Sequence, residues 1–599
     1  MSQLKIIDSN YLLEDLEKPF KVIAGPGAGK THWLVTNIKH ILNNSKKLHC
    51  NSKIACITYT NVGVEEIKKK LNSKNKMIEV STIHAFLYKN IVRPYVYLLQ
   101  DEETKETLVD VTRIKGHFNN SPSNTLIRKW RNADKIYYLG GDKETNNKII
   151  KRFSGLKWKY EAGNLTLIST ELTKGPNIRN KDFIKYKKYC WSKGIIHHDD
   201  VLYFSYELLK EFPKIGYAIS SRFTYIILDE FQDTNELQTE ILKILFASGS
   251  IIGVVGDPAQ SIYQFQGATR ESFINFSLPQ QNEYKILCNR RSGQNIVDFL
   301  NIIRKDELGQ ECKNTAISDK IYIYQYDDKN AELIKEAFFR IMSELELNED
   351  YSIISYENKD ILFLKESSFD NETTLWDKLQ EIDADRCLFL TRLLKGYRYY
   401  KEDLIDLSVA EISSALSRKK DGTLIEPFQD SYINKFYVPG LAVEILQFII
   451  EIVENKDDIK LIEFYNSLSN FLGKKNLKLP KIKNKSIKDF TEKCKLNDLI
   501  EQIKMSEVKI DNYRTIHGVK GAEFQSVLLF LDNKEDLLDP NIDSKDDKTR
   551  VFYVGCSRAK QLLFIALPKL TIQEKLKLNQ LYGDLLEFYE DNCVKEESE

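Results

Sequence analysis

Apolar and polar positions change period several times along this chain. Lys21-Val22-Ile23-Ala24 is a short run that reads as a buried strand. After a glycine-rich segment, His32-Trp33-Leu34-Val35-Thr36-Asn37-Ile38-Lys39-His40-Ile41-Leu42 carries its apolar residues at helical spacing. Phe223-Thr224-Tyr225-Ile226-Ile227-Leu228 and Ile251-Ile252-Gly253-Val254-Val255 are continuous apolar runs that read as core strands, and each runs on into acid. Lys320-Ile321-Tyr322-Ile323-Tyr324-Gln325-Tyr326 and Tyr351-Ser352-Ile353-Ile354-Ser355-Tyr356 predict two further strands, and residues 366–508 are mostly helical by pattern. The longest apolar stretch, residues 441–453, is broken by Glu444, Gln447 and Glu451, so it reads as an amphipathic helix rather than a membrane span. No repeat of solenoid period is present.

A chain of 599 residues is too long for one hydrophobic core, so several domains are expected. Its 42% hydrophobic and 29% charged residues are those of an ordinary globular protein. The formal net charge is zero, so any nucleic-acid surface must be a local basic patch balanced elsewhere. Nine cysteines are scattered without a C-x-x-C pair. They read as small buried hydrophobes in a reducing compartment, not as a disulfide framework or a zinc site. Met1-Ser2-Gln3-Leu4-Lys5 opens no secretory pattern, and the expected compartment is the cytoplasm.

The chemistry is concentrated after the first strand. Ala24-Gly25-Pro26-Gly27-Ala28-Gly29-Lys30-Thr31 lies between that strand and the helix, the context in which a P-loop works. Glycines let successive N–H groups turn inward as an anion nest at a helix N-terminus. Lys30 can then reach the β- and γ-phosphates, and the Thr31 hydroxyl can bind Mg²⁺. The first position is Ala24 where the pattern has glycine. Asp229 and Glu230 follow the 223–228 strand: Asp229 can hold Mg²⁺ through water, and Glu230 can orient and deprotonate an attacking water. Gln260, just beyond the 251–255 strand, can hydrogen-bond a γ-phosphate or that water.

Taken in order, the segments resemble the UvrD/Rep family of superfamily 1A DNA helicases. The P-loop is followed by Thr58-Tyr59-Thr60-Asn61-Val62-Gly63-Val64-Glu65-Glu66-Ile67 and Ser81-Thr82-Ile83-His84-Ala85-Phe86, similar to motifs Ia and Ib. Leu228-Asp229-Glu230-Phe231-Gln232-Asp233-Thr234 resembles motif II, and Val255-Gly256-Asp257-Pro258-Ala259-Gln260-Ser261-Ile262-Tyr263 motif III. Asn289-Arg290-Arg291-Ser292, Thr515-Ile516-His517-Gly518-Val519-Lys520-Gly521-Ala522-Glu523-Phe524 and Tyr553-Val554-Gly555-Cys556-Ser557-Arg558-Ala559 resemble motifs IV, V and VI. A lone P-loop is common to many NTPases, whereas this ordered set of seven is highly specific.

The resemblance implies an α/β fold of two RecA-like parallel-sheet P-loop domains, each with a mainly helical inserted subdomain. The expected boundaries are 1–94 with 216–285 for the first, 95–215 for its insertion, 286–365 with 509–585 for the second, and 366–508 for its insertion. An acidic tail, 586–599, would follow, disordered from Asp591 onward. It implies ATP with Mg²⁺ between the two domains, with Arg291 and Arg558 as arginine fingers and Glu523 at the nucleotide sugar or coupling the domains. It places single-stranded DNA along Thr60, Asn61, His84 and Phe86, with Tyr263 and Phe265 as stacking faces or else ordinary core.

The chain departs from the family pattern in four places. Residues 1–20 hold no clean adenine-reading Gln segment, Gln3 being a weak candidate. Arg290 stands where a Tyr stacks on adenine, although a guanidinium can also stack on a base. Phe265-Gln266-Gly267 replaces Trp-Arg-Gly, and Gly518-Val519 replaces Ser-Ala. Within the insertions, Lys157-Trp158-Lys159-Tyr160 reads equally as a nucleic-acid surface or an amphipathic one. His197-His198-Asp199-Asp200 reads as a helix start rather than a metal site. The lysine-rich run 474–485 reads as a duplex grip or a solvated loop.

The leading expectation is an ATP-dependent helicase or translocase moving 3′ to 5′ on single-stranded DNA. The alternative is a DNA-sensing ATPase subunit that regulates a nuclease. Small UvrD-like proteins of that kind resemble the helicase component of two-gene antiphage systems such as Gabija, whose partner is an OLD-family nuclease. A dead scaffold is disfavoured because Lys30, Asp229, Glu230, Gln260, Arg291 and Arg558 are all present.

Overall fold

The computed structural model describes residues 4–589 apart from 72–75, 102–103, 115, 119, 121, 140–142, 162, 171–177, 265–266, 268–269, 306–307, 315–319, 328, 348–349, 367–374, 402–404, 418–423, 425–426, 429–430, 432, 434–436, 456–458, 483–484, 504–511 and 545. Gln3, Phe265, Gln266, Lys483 to Asn484 of the lysine run and residues 590–599 of the expected tail therefore lie outside the described residues. The chain forms two compact units, one of residues 1–367 and 513–599, the other of Ser368–Asn512.

The first unit holds two parallel sheets. Seven strands run in the order Lys5–Ile7, Asn282–Ile286, Phe20–Ala24, Ile251–Gly256, Phe223–Leu228, Lys53–Thr58, Ile78–Thr82. Six more run in the order Tyr513–Thr515, Tyr351–Ser355, Phe524–Phe530, Ala559–Pro568, Ile321–Tyr326, Leu586–Phe588. Parallel strands covered on both faces need continuous apolar sequence, and Phe223–Leu228 and Ile251–Gly256 are buried at every residue. Alternate residues feed opposite cores: Ile226, Leu228, Ile252 and Val254 enter one, and Tyr225, Ile227, Ile251 and Val255 the other. The second sheet repeats the pattern, with Val527, Leu529, Leu563 and Ile565 on one face and Leu528, Phe530, Phe564 and Ala566 on the other.

Between the strands ending at Thr82 and beginning at Phe223 lies an insertion of helices Asn124–Ala133, Lys143–Ser154 and Asn180–Trp191 around Trp130, Phe153 and Tyr186. A hairpin, Leu156–Glu161 with Asn164–Ser169, carries the Lys157 to Tyr160 segment. Its aromatics turn inward. Trp158 stacks on Tyr203 at 4.0 Å and donates to Asp200 at 3.2 Å, Tyr160 meets Tyr206 edge-on, and Lys159 pairs with Glu161. The amphipathic-surface reading of this segment therefore fits the structure. His198–Glu211 is the expected helix, capped by His197 and Asp200.

The second unit is helical, with one core built from Leu390, Leu393, Ile445, Ile449, Phe464 and Leu468 among others. The 441–453 stretch lies in helix Val438–Asn455, with Ala442, Ile445 and Ile449 buried and Glu444, Gln447 and Glu451 exposed. In the lysine run, Leu477 and Leu479 are buried while Lys474, Lys475, Lys478 and Lys481 face out, and Lys475 pairs with Glu444. No helix among the described residues is long and apolar enough to cross a membrane, and every described cysteine is a free thiol.

Candidate functional site

Loops at the carboxyl ends of parallel strands are where α/β sheets bind ligands. The first sheet sends three such loops to one place. Phe20–Ala24 runs into Gly25 to Gly29, and helix Lys30–Asn44 begins there. Gly27 and Gly29 have φ of +68° and +81°, which only glycine adopts without strain. Ala24 is still extended strand and has no positive φ, so the missing first glycine costs this loop nothing. Gly25 is needed for space: a Cβ there would lie 2.5 Å from the side chain of Gln310. Lys30 Nζ donates to the carbonyls of Ala24 and Gly25 at 3.1 and 3.3 Å.

The neighbouring strand delivers Asp229 and Glu230. Asp229 is anchored by its N–H to the Ile57 carbonyl at 2.8 Å. Glu230 has φ of +54°, a left-handed conformation unusual for this residue type, and Gln232 donates to its carboxylate. Burial, then the charge of Glu230, pushes the Asp229 carboxyl well up. Burial also opposes ionisation of Glu230, but Lys30 and Lys520 outweigh it and hold that carboxyl low. Thr31, Asp229 and Glu230 line one cavity of about 70 Å³ with Thr58, Tyr59, Thr60, Asp233 and Tyr263. Hydroxyl and carboxylate oxygens are the donors Mg²⁺ takes, and a cation there would offset the repulsion between the two acids. Among the described residues no group of three His, Cys, Asp or Glu could hold a metal. A nucleotide-borne Mg²⁺ does not require one, because phosphates and water complete its shell.

Gln260 follows the third strand. Its Nε2 donates to Asp257 at 2.9 Å, and its Oε1 accepts from Arg558 Nη2 at 3.3 Å. Arg558 is only 2% exposed, and its other described bonds end on the carbonyls of Val554 and Ala522 and the Ser557 hydroxyl. All these acceptors are neutral. Burial, then the nearby Arg291, pushes its guanidinium down from its ordinary range. Arg291 donates to Glu523 at 2.7 Å and to the Ser557 carbonyl at 3.3 Å, and Glu523 also pairs with Lys560 at 3.2 Å. Glu523 thus sits against two cations contributed around the second sheet. Arg290 reaches Asp8 at 2.7 Å, and its N–H donates to the Gly27 carbonyl at 2.9 Å.

The structure therefore gathers Ala24 to Thr31, Asp229, Glu230, Gln260, Arg290, Arg291, Glu523 and Arg558 around the ends of the first sheet. It also adds residues that motif spacing does not single out. Lys520 Nζ lies 2.7 and 2.6 Å from the two carboxylate oxygens of Asp233 and 2.9 Å from the Gln260 carbonyl. Gln310 Nε2 donates to the Pro26 carbonyl at 3.0 Å. Arg304 pairs with Asp257 at 3.0 Å. Lys520 and Asp233 stand inside quoted motifs and could be paired from those; Gln310 and Arg304 carry no sequence signal.

The residues expected along DNA are not all accessible. Thr60 lines the cavity, and its hydroxyl accepts from the Gly63 N–H at 3.1 Å. Asn61 begins helix Asn61–Leu71, and its side chain lies outside the described residues. Tyr263 is half-buried, with its ring stacked on Tyr59 at 5.1 Å and Lys520 Nζ 4.7 Å from its centroid. Phe86 is a correction. It is 1% exposed and packs edge-on against Phe223, because helix Ile83–Leu87 turns Ile83, Phe86 and Leu87 together into the core. His84, on the other side of that helix, sits with His117 and His198.

Residues 8–281 match the family model for the UvrD/REP helicase N-terminal domain, and residues 398–569 that for the UvrD-like helicase C-terminal domain. The chain is 24% identical to a probable DNA helicase II homolog of Mycoplasma capricolum, over 98% of this chain and 89% of that protein. It is 25% identical to the ATP-dependent DNA helicase Rep of Buchnera aphidicola, over 94% and 93% of the two chains. It is also 23% identical to the Gabija protein GajB of Bacillus cereus, over 98% of this chain and 100% of that one.

Proposed function

The chain belongs to the UvrD/REP family of ATP-dependent DNA helicases, and on that premise we propose that it is a motor moving 3′ to 5′ along single-stranded DNA. The contact from Arg558 to Gln260 supports the ATP-hydrolysis part of that reading, and the direction is what the family resemblance implies. A buried guanidinium held by neutral acceptors, facing a glutamine that Asp257 holds, is built to receive a further negative group. A γ-phosphate on the P-loop nest is that group. Lys30 would leave the loop carbonyls for the phosphates, Thr31 and Asp229 would hold Mg²⁺, and Glu230 would take the proton of the attacking water. Arg291, Arg558 and Gln260 would stabilise the charge that develops. Closing on ATP and relaxing after hydrolysis would change the grip of the Thr60, His84 and Tyr263 region on DNA. The test is strand displacement by the full chain on duplexes with a 3′ or a 5′ single-stranded tail. Displacement of the 3′-tailed duplex alone is expected; equal displacement of both would remove the directional claim.

A second reading is favoured by the end-to-end similarity to GajB. Here the chain is the DNA-sensing ATPase of a nuclease-containing antiphage complex, with an OLD-family nuclease as its partner and little unwinding of its own. DNA-stimulated hydrolysis without strand displacement by the isolated chain would favour it, and recovery of no nuclease from native cells would count against it.

A further inference from the structure

Arg304 ends helix Gln294–Arg304, which packs in the second sheet's core, and it is 1% exposed. Its Nη2 donates to Asp257 Oδ1 at 3.0 Å, and its Nη1 lies 3.4 Å from Asp257 Oδ2 and 2.9 Å from the Tyr553 hydroxyl. Asp257 is fully buried at the end of a first-sheet strand. An isolated carboxylate there would be strongly disfavoured, and a guanidinium is the one side chain that cannot give up its charge to escape. Arg304 thus keeps Asp257 ionised.

That ionisation has a consequence for Gln260. An ionised carboxylate only accepts hydrogen bonds, so it must face the Nε2 end of the glutamine amide. The bond is 2.9 Å. The amide is thereby oriented, and its Oε1 is left pointing at Arg558, whose Nη2 is 3.3 Å away. A neutral Asp257 could equally donate, and the amide could turn its NH₂ on Arg558. The circuit closes through the protein. Tyr553 stands in helix Lys548–Cys556, which leads directly into Arg558, and the Ser557 N–H bonds the Tyr553 carbonyl at 3.0 Å. Asp257, Gln260, Arg304, Tyr553 and Arg558 are all nearly or wholly buried, so water does not short-circuit the ring.

We propose that Arg304 is a positioning residue for ATP hydrolysis: through Asp257 it sets the orientation of Gln260 and couples it to the segment carrying Arg558. It touches no nucleotide in this role, and the role rests on the hydrolysis reading above. The test is a double-mutant cycle on the full chain, with single-stranded DNA present, comparing wild type, Arg304→Met, Gln260→Ala and the pair. Wild-type turnover is measured first; its absence would count against the hydrolysis reading itself. Given wild-type turnover, Arg304→Met is expected to lower kcat about tenfold while leaving the KM for ATP within about twofold, because the lost contacts matter only as charge develops. In the Gln260→Ala background the same change is expected to cost almost nothing further. Arg304→Gln, which keeps neutral donors, is read in the same cycle and carries the test if the Met variant does not fold. Wild-type kcat in a folded Arg304 variant, or a full repeat of the loss in the Gln260→Ala background, would overturn the proposal.

Discussion

Lys520 places its ammonium within 2.7 Å of both carboxylate oxygens of Asp233, tying the loop after the second sheet's first strand to the loop that carries the hydrolytic acids. Both side chains are largely buried, at 8% and 1% exposure. Removing one partner of such a pair leaves an uncompensated buried charge, at a cost of about 3–5 kcal/mol. Lys520→Met is expected to lower the urea midpoint and the hydrolysis rate together. Adding Asp233→Asn should recover part of the midpoint. A double variant no more stable than Lys520→Met would show that the pair is not what holds the loops.

The two tight P-loop glycines make a ranked prediction. Gly25→Ala meets only the end of the Gln310 side chain, which can swing away after giving up its bond to Pro26. Gly27→Ala meets Asn289 and the Arg291 Cβ and must also hold a positive φ. The expected order of nucleotide affinity is wild type, Gly25→Ala, Gly27→Ala, and Gln310→Ala should rescue Gly25→Ala but not Gly27→Ala. Fluorescent nucleotide titration reads all five proteins.

Three histidines pack together where the insertion meets the first sheet: His117 Nδ1 is 2.5 Å from His198 Nδ1, and the His84 ring centroid is 5.9 Å from that of His198. Burial, then the neighbouring histidines, pushes His84 and His117 down to about 4. A histidine lowered in the folded state leaves the unfolded chain binding the extra proton. Its stabilisation is therefore present above about pH 6.5, the ordinary histidine value, and is lost as pH falls toward 4. Amide exchange in residues 83–92 and 196–204 is expected to quicken between pH 7 and about 5, and the double variant His84→Phe with His117→Phe, which removes the titrating rings themselves, should flatten that dependence. Exchange indifferent to pH after correction for the intrinsic rate would contradict it.

Much of the phosphate side of the site is legible in the sequence, because it depends on local order. A strand, glycines and a helix start lie within a dozen residues, and acids directly follow continuous apolar runs at 223–228 and 251–256. The edge strand Lys5–Ile7 is not legible: it is three residues long with two of them exposed, so it lacks the apolar run that marks the central strands. Gln310 and Arg304 are equally silent, since their meaning comes from which strand end the topology brings to them. Phe86 departs from expectation for a simpler reason. Its place beside His84 in a motif suggests a shared surface, but helical spacing puts residues so close in sequence on different faces.

Under the proposed function, a guanidinium from the second sheet's side completes a hydrolytic site on the first. The most direct test is single-stranded-DNA-stimulated ATP hydrolysis by the wild type and Arg558→Ala, with nucleotide binding measured in parallel. The variant is expected to bind ATP within a few-fold of wild type and to lose about 10³-fold or more in turnover, as for other arginine fingers. A folded Arg558→Ala protein that hydrolyses ATP at near wild-type rate would contradict it.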